Sequence, residues 1–321
     1  MRKFFVISIL AALAMAMSCQ KDSVLDGDET AVVSFTIQTP DVIGVKSTSD
    51  GQKVNIVHWA AFDNNDQPIE SLSGTAEVKG KEASFDVQLV KYYEYKFVFW
   101  AHKGDEYGQN KAYNLGEFDA KGKVTVNYEG NANDDDRDAF YKMEKIMVEN
   151  AGETKTIRLY RPFAQINFLA ADYKSVEEVD VHLSLKSTIT AESLPTVLNG
   201  LDGTISEYTG ATVLAATPVP TDPAYYNIKD ATTGESTQYG WYSMNYVLAS
   251  EESSLNNVTA TFTHDLSKKP IEISVDNVPY KRNHRTNIIG KFLTETALVS
   301  IIVVEKFDDP DYNINEKGEK I

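Results

Sequence analysis

Few residues in this chain are of types and spacings that could do chemistry. The five histidines, His58, His102, His182, His264 and His284, form no H-x-x-x-H or H-E-x-x-H pattern, so no zinc-ligand spacing is present. Isolated imidazoles of this kind read as surface or core-edge groups. No serine lies in a G-x-S-x-G elbow, and no glycine-rich phosphate loop or dinucleotide fingerprint occurs. The run Asn131-Ala132-Asn133-Asp134-Asp135-Asp136-Arg137-Asp138 offers Asp134, Asp136 and Asp138 as hard oxygen ligands for Ca²⁺. It lacks the alternation and the glycine of a calcium loop, and a solvated acidic loop is the better reading. The aromatic residues Tyr92, Tyr93, Tyr95, Phe97, Phe99 and Trp100 could stack on a sugar, although strand aromatics more often fill a core. Nothing here supports catalysis, a metal or a cofactor.

The one cysteine is of a different kind. Cys19 follows an N-terminal segment in which Arg2 and Lys3 precede the uncharged, mostly apolar run Phe4–Met17. A basic start, an apolar stretch and small residues before the cut describe a secretory signal peptide. The run is shorter than the ~20 residues a spanning helix needs. Ala16-Met17-Ser18-Cys19 is similar to a bacterial lipobox, with Ala16 where leucine is usual. With no second thiol to pair with, Cys19 reads as a lipid anchor.

Composition narrows the rest. Removal of residues 1–18 leaves 29 basic against 47 acidic residues and a net charge of −18. Such a surface repels nucleic acid and anionic headgroups, so membrane contact falls to the lipid. At 321 residues and 42% hydrophobic, the chain can bury two cores, and these hold without disulfides.

These groups are positioned by short strands. Residues 19–30 are polar and acidic, a tether between lipid and fold. Val33–Gln38 alternates apolar and polar residues, the mark of a strand with one buried face. A loop rich in Gly, Ser, Thr and Asp follows over Pro40–Gln52, with Lys46 its only basic residue. Further strands are expected at Val54–Phe62, Ala83–Leu89 and Tyr93–Trp100, the last apolar enough to be central. Leu115–Phe118 and Val124–Tyr128 are shorter candidates, and Ala139–Val148 fits either a strand or a short helix. The polar stretch at 149–153 marks a domain boundary. A long strand with an edge or bulge at Pro162 is expected over Thr156–Leu169. Others follow at Glu178–Leu185, Tyr239–Leu248, Val258–Phe262, Ile271–Val275, Asn287–Phe292 and Ala297–Val304. No repeat and no long amphipathic helix is present, so the fold is all-β, as sandwiches.

Two stretches carry a resemblance. Leu159-Tyr160-Arg161-Pro162-Phe163-Ala164-Gln165-Ile166-Asn167-Phe168 is similar to a strand of fimbrillin-type proteins. Val278-Pro279-Tyr280-Lys281-Arg282-Asn283-His284-Arg285-Thr286-Asn287 resembles that family's C-terminal Arg-Asn motif. The resemblance extends from about Val33 to Asp311. It implies two tandem transthyretin-like β-sandwich domains, here 31–150 and 154–311, after a signal peptide (1–18) and lipidated tether (19–30), with a loose tail at 312–321.

For function, the resemblance implies a surface lipoprotein of Gram-negative anaerobes, at the outer membrane or in a fimbrium. It would act as a pilus structural, anchor or accessory adhesin subunit and assemble by β-strand exchange with copies of itself or other subunits. In some members an arginine-specific protease removes the first strand. Here no arginine lies between Arg2 and Arg137, so Lys46 is the candidate processing point. The alternative is a non-polymerising surface lipoprotein that binds glycan or host matrix. Of the motif residues, Arg161, Arg282, Asn283 and Arg285 are expected to be structural, an arginine fork clamping carbonyls or a carboxylate. Cys19→Ala is expected to release the protein from membranes. Intact mass of the wild type should show an acylated N-terminal cysteine, since several acyl chains give stable anchoring at about 0.8 kcal/mol per CH₂.

Overall fold

The computed structural model describes residues 29–39, 51, 53–128, 133–172, 186–210, 212–216, 225–229, 233–250, 253–263, 270–291 and 300–304. The first part of the chain supplies β1 (Thr30–Gln38), β2 (Ile56–Phe62), β3 (Gly74–Glu77), β4 (Glu82–Val90), β5 (Glu94–His102) and β6 (Tyr113–Asn114). A single-turn helix, α1 (Phe118–Lys121), precedes β7 (Lys123–Val126), β8 (Ala139–Met147) and β9 (Thr154–Arg158). Then come β10 (Phe163–Ala170), β11 (Lys186–Ala191), β12 (Pro195–Asn199), β13 (Ile205–Tyr208), β14 (Thr212–Ala216) and β15 (Tyr225–Lys229). The chain continues through β16 (Ser236–Leu248), β17 (Ser253–Leu255), β18 (Val258–Thr263), β19 (Ile271–Val275), β20 (Val278–Tyr280), β21 (Arg285–Gly290) and β22 (Ser300–Val304). The protein is thus mostly β, in several sheets, and no helix of the described residues is long and apolar enough to cross a membrane.

Two sheets of the first part, β4-β1-β9 and β3-β2-β5-β8, enclose one apolar core. Ala31, Val33, Phe35 and Ile37 project into it from β1, and Val57, Trp59, Phe97 and Phe99 from the other sheet. Phe35 is the hub, its ring 5.3 Å from Phe85 and 5.1 Å from Phe97. β5 is central, between β2 and β8, and its run Phe97–Trp100 is buried on both faces, as its continuous apolar character requires.

The outer face of that second sheet is also buried. Ala60, Phe62, Val98 and Trp100 join a larger core with the sheets β13-β12-β7-β6, β15-β16-β10-β21-β22 and β14-β11-β18-β19. The Trp100 and Phe163 rings meet edge to face at 6.2 Å, one from each side of the expected boundary.

Three expectations need correction. Leu115–Phe118 is not a strand: the chain turns there into α1, which ends at Gly122 with φ 66°, a backbone that glycine adopts freely. A Glu117–Lys121 ion pair at 2.5 Å, one turn apart, ties the ends of that turn. Thr156–Leu169 is two strands in different sheets, because Pro162 has no N–H for a ladder and the chain crosses over at that point. β9, expected to open the second unit at 154, instead pairs in parallel with β1, from Ser34↔Thr154 to Gln38↔Arg158. Ala139–Val148 resolves as a strand, β8. The strand expected at Glu178–Leu185 lies outside the described residues.

One core contact was not foreseen. His58 on β2 and His102 on β5 point to the same face, their Nε2 atoms 3.2 Å apart, so one ring donates to the other. Burial depresses both; His102, with His58 as its like-charged neighbour, is lowered to about 3. The unfolded imidazole binds its proton at higher pH than the folded one. Stability is therefore full above about pH 6.5 and falls as pH drops toward 3. His102 alone should cost about 2 kcal/mol between pH 7.5 and pH 5. Urea unfolding at the two pH values should show that loss in the wild type, and His102→Gln should remove most of it.

Candidate functional site

β1 is the element with the most unusual placing. It is the first of the described strands and yet the middle strand of its sheet. On one side it runs antiparallel to β4, in register from Thr30↔Val90 to Gln38↔Glu82. On the other it lies parallel to β9. Its outward polar residues are bonded across the β4 seam: Ser34 Oγ donates to Asp86 at 2.7 Å and Gln38 Nε2 to Glu82 at 2.7 Å. Val33, Phe35 and Ile37 are each worth about 1.5–3 kcal/mol when fully buried. Taking β1 away would open an apolar groove between two unpaired edges, the substrate for β-augmentation by another strand.

The two sequence-derived positions that bear on such a reaction, Cys19 and Lys46, lie outside the described residues, as does most of the loop after β1. Past that stretch, Gly51 is described. Its φ is 67°, and a Cβ there would come within 2.9 Å of the Phe140 ring, so both backbone and space call for glycine.

Phe140 leads to the acidic loop. Here Asp138 and Arg161, both buried, form a two-pronged ion pair: Arg161 Nε donates to Oδ1 at 2.7 Å and Nη2 to Oδ2 at 2.9 Å. The guanidinium carbon sits 4.7 Å from the centre of the Phe140 ring. The neighbouring acids are likewise engaged. Asp134 accepts from the Asp136 N–H at 3.0 Å, and Asp136 pairs with Lys53 at 2.9 Å. Asp135 accepts from the Tyr246 hydroxyl at 3.0 Å. Asn133 exchanges two hydrogen bonds with the Met244 backbone, N–H to carbonyl at 2.7 Å and Met244 N–H to Oδ1 at 2.6 Å. The loop read from the sequence as solvated is therefore a splice that fastens β8 to β16. Asp134, Asp136 and Asp138 do not form a cluster that could hold calcium, and no group of three or more His, Cys, Asp or Glu that could hold a metal ion occurs among the described residues.

The C-terminal motif is also held by hydrogen bonds. Arg282 donates from Nε to the Ala249 carbonyl at 3.1 Å and from Nη2 to the Gly203 carbonyl at 2.9 Å. Asn283, with φ 57°, makes the turn and donates its N–H to the Phe163 carbonyl at 2.8 Å. Arg285 donates to Gln165 Oε1 at 3.2 Å, directly across the parallel β10–β21 seam. Two residues on, Asn167 donates to Asn287 at 2.8 Å while the Trp241 indole N–H reaches Asn167 Oδ1 at 3.3 Å. These buried polar pairs sit at matched positions and fix the seam's register, because a one-residue slip would strand each of them. Of the aromatic run, Tyr95, Phe97, Phe99 and Trp100 are buried, and only Tyr92 and Tyr93 present exposed surface.

The site is thus one of strand pairing and structural clamps within a β-sheet protein. The chain belongs to a family of unknown function, DUF6562, which it matches over residues 27–321. It matches no curated protein. Among solved structures it is similar to a Bacteroides thetaiotaomicron protein provisionally assigned as polysaccharide-binding, at 16% identity and a TM-score of 0.51, over 90% of this chain and 100% of that one. A second protein from Bacteroides thetaiotaomicron, provisionally assigned as an adhesin, gives 12% identity and a TM-score of 0.50 over 87% and 97%. The tip fimbrial protein Mfa3 of Porphyromonas gingivalis, in a C-terminally truncated form, gives 9% and 0.47 over 85% and 99%. At these identities the likeness is one of fold.

Asp138→Asn keeps the shape of the buried pair but removes its negative charge, leaving the Arg161 charge without its counterpart. A loss of about 3–5 kcal/mol in unfolding free energy, read from urea midpoints, is the expected result.

Proposed function

We propose that this protein is a fimbrillin-type surface lipoprotein. In this reading it is anchored at the outer membrane through acylated Cys19 and acts as a pilus structural, anchor or accessory adhesin subunit, not as an enzyme. Its body would be two transthyretin-like sandwiches, 31–150 and 154–311, the second lending β9 to the first. Partners would be further copies or other subunits, joined by strand exchange. The observation that carries the reading is the place of β1: first in the chain, middle in its sheet, and followed by a Gly, Ser and Thr-rich loop. Cutting that loop at Lys46 would free β1 and leave the β4 and β9 edges facing an apolar groove. A replacement strand would have to run parallel to β9 and place apolar residues where Val33, Phe35 and Ile37 now sit. The β-branched run ending at Val304 is one donor; within this chain Ser300–Val304 is the outermost strand beside β21, so donation requires it to leave that seam.

A second reading, a surface lipoprotein that binds glycan or host matrix without polymerising, draws on the lack of arginine between Arg2 and Arg137. The provisional assignments of the two Bacteroides proteins accord with adhesion in either form. N-terminal sequencing of the cell-surface form separates them. Strand exchange requires a start at or near Ser47, with ladders on mild denaturing gels that Lys46→Gln abolishes. A start at Cys19 on a monomeric protein selects the stand-alone binder.

A further inference from the structure

A cleft of about 580 Å³ lies between the β12–β13 hairpin and the β17–β20 ribbon. This is within the roughly 300–1,000 Å³ of small-molecule sites. We propose that this cleft binds a neutral sugar chain, with Tyr208 as the stacking platform and Asp202 and Arg282 as the hydroxyl-recognising pair. The inference deepens the adhesive reading above and is independent of whether β1 is ever removed.

Three observations carry it. First, Tyr208 stands at the rim with 64% of its surface exposed, although it is a large aromatic on a strand. Its neighbour Glu207 has φ 52°, a backbone cost for a non-glycine residue that accompanies the loss of strand alternation: Ser206, Glu207 and Tyr208 are all exposed. An uncovered ring of this kind offers an apolar face to the C–H side of a pyranose and a hydroxyl to its rim.

Second, donors and acceptors are held rigid and only partly used. Arg282 is fixed by the Ala249 and Gly203 carbonyls through Nε and Nη2, while its Nη1 makes no hydrogen bond among the described residues. Asp202 uses Oδ1 to accept from the Thr204 N–H at 2.8 Å and hydroxyl at 2.6 Å, and its Oδ2 accepts none among the described residues. Both side chains line the cleft, yet they do not pair with each other. A fixed guanidinium beside a fixed carboxylate suits adjacent hydroxyls, each of which both donates and accepts. Ser250 and Ser253, bonded to each other at 2.6 Å, add two more hydroxyls to the wall.

Third, the charges balance. One carboxylate and one guanidinium leave the cleft near neutral in a chain of net charge −16. A polyanion meets a single arginine that is mostly committed, inside a repelling field. A divalent cation finds one carboxylate. The ligand class that remains is an uncharged polyol with an apolar face.

The test is affinity electrophoresis of the full mature chain through native gels containing galactomannan, xyloglucan, arabinan or dextran, with polygalacturonate as the charged control. At least one neutral polymer should retard the wild type. Tyr208→Ala and Asp202→Ala should each weaken that retardation at least tenfold, Tyr208→Ala with its thermal midpoint unchanged because the ring is exposed. Tyr208→Phe, which keeps the ring, should retain most of it. Retardation that survives both alanine substitutions would place glycan binding elsewhere on the protein and overturn the assignment of this cleft, leaving the adhesive reading intact. Lack of retardation by all four neutral polymers, or preference for polygalacturonate, would overturn the ligand class.

Discussion

A guanidinium and a carboxylate taken out of water demand each other, and in this protein that demand sets where the chain turns from its first sheets to its later ones. Arg161 stands between β9 and β10, Asp138 just before β8, and each meets the other through both of its prongs. Removing either partner would leave a buried charge without the other. The pair thus holds three strand ends at fixed spacing, with Phe140 stacked against the guanidinium and Gly51 packed against Phe140. Pro162 completes the turn by refusing a ladder bond at the point where the chain must change sheets. The acidic loop, laced to Met244 and Tyr246, is the second fastening of the same joint.

Much of the first two sheets was legible because their strands declare themselves locally. The alternation from Val33 to Ile37 marks the inner face of β1, and the continuous run Phe97–Trp100 announces a strand covered on both sides. Other features have no local signature. β9 reads as the start of a longer strand; only its partner, β1, more than a hundred positions earlier, assigns it to the first sheet. His58 and His102 are 44 residues apart and meet because β2 and β5 pair, so no spacing rule could have joined them. The acids at 134–138 looked solvated because the groups that neutralise or bond them, Lys53, Arg161 and Tyr246, are scattered through the chain. The Arg282 and Asn283 motif stood out as a basic cluster, but the carbonyls of Ala249, Gly203 and Phe163 that it bonds have no signature near it in the chain.

The later sheets show a different economy of specification. Parallel neighbours such as β10 and β21 have no hairpin to set their alignment, and apolar side chains alone tolerate sliding. Gln165 with Arg285, and Asn167 with Asn287, convert that soft preference into a discrete one. Polar residues buried in the centre of a sheet thereby act as an alignment key.

The parallel course of β1 and β9 has a mechanical meaning. A pull applied between residue 29, at the start of β1, and the chain leaving β9 at Arg158 acts along both strands in opposite directions. The bonds of that seam are then loaded together, as in a lap joint, instead of opening one at a time like a zipper. Under such a load, rupture of the β1–β9 seam requires it to slide as a whole.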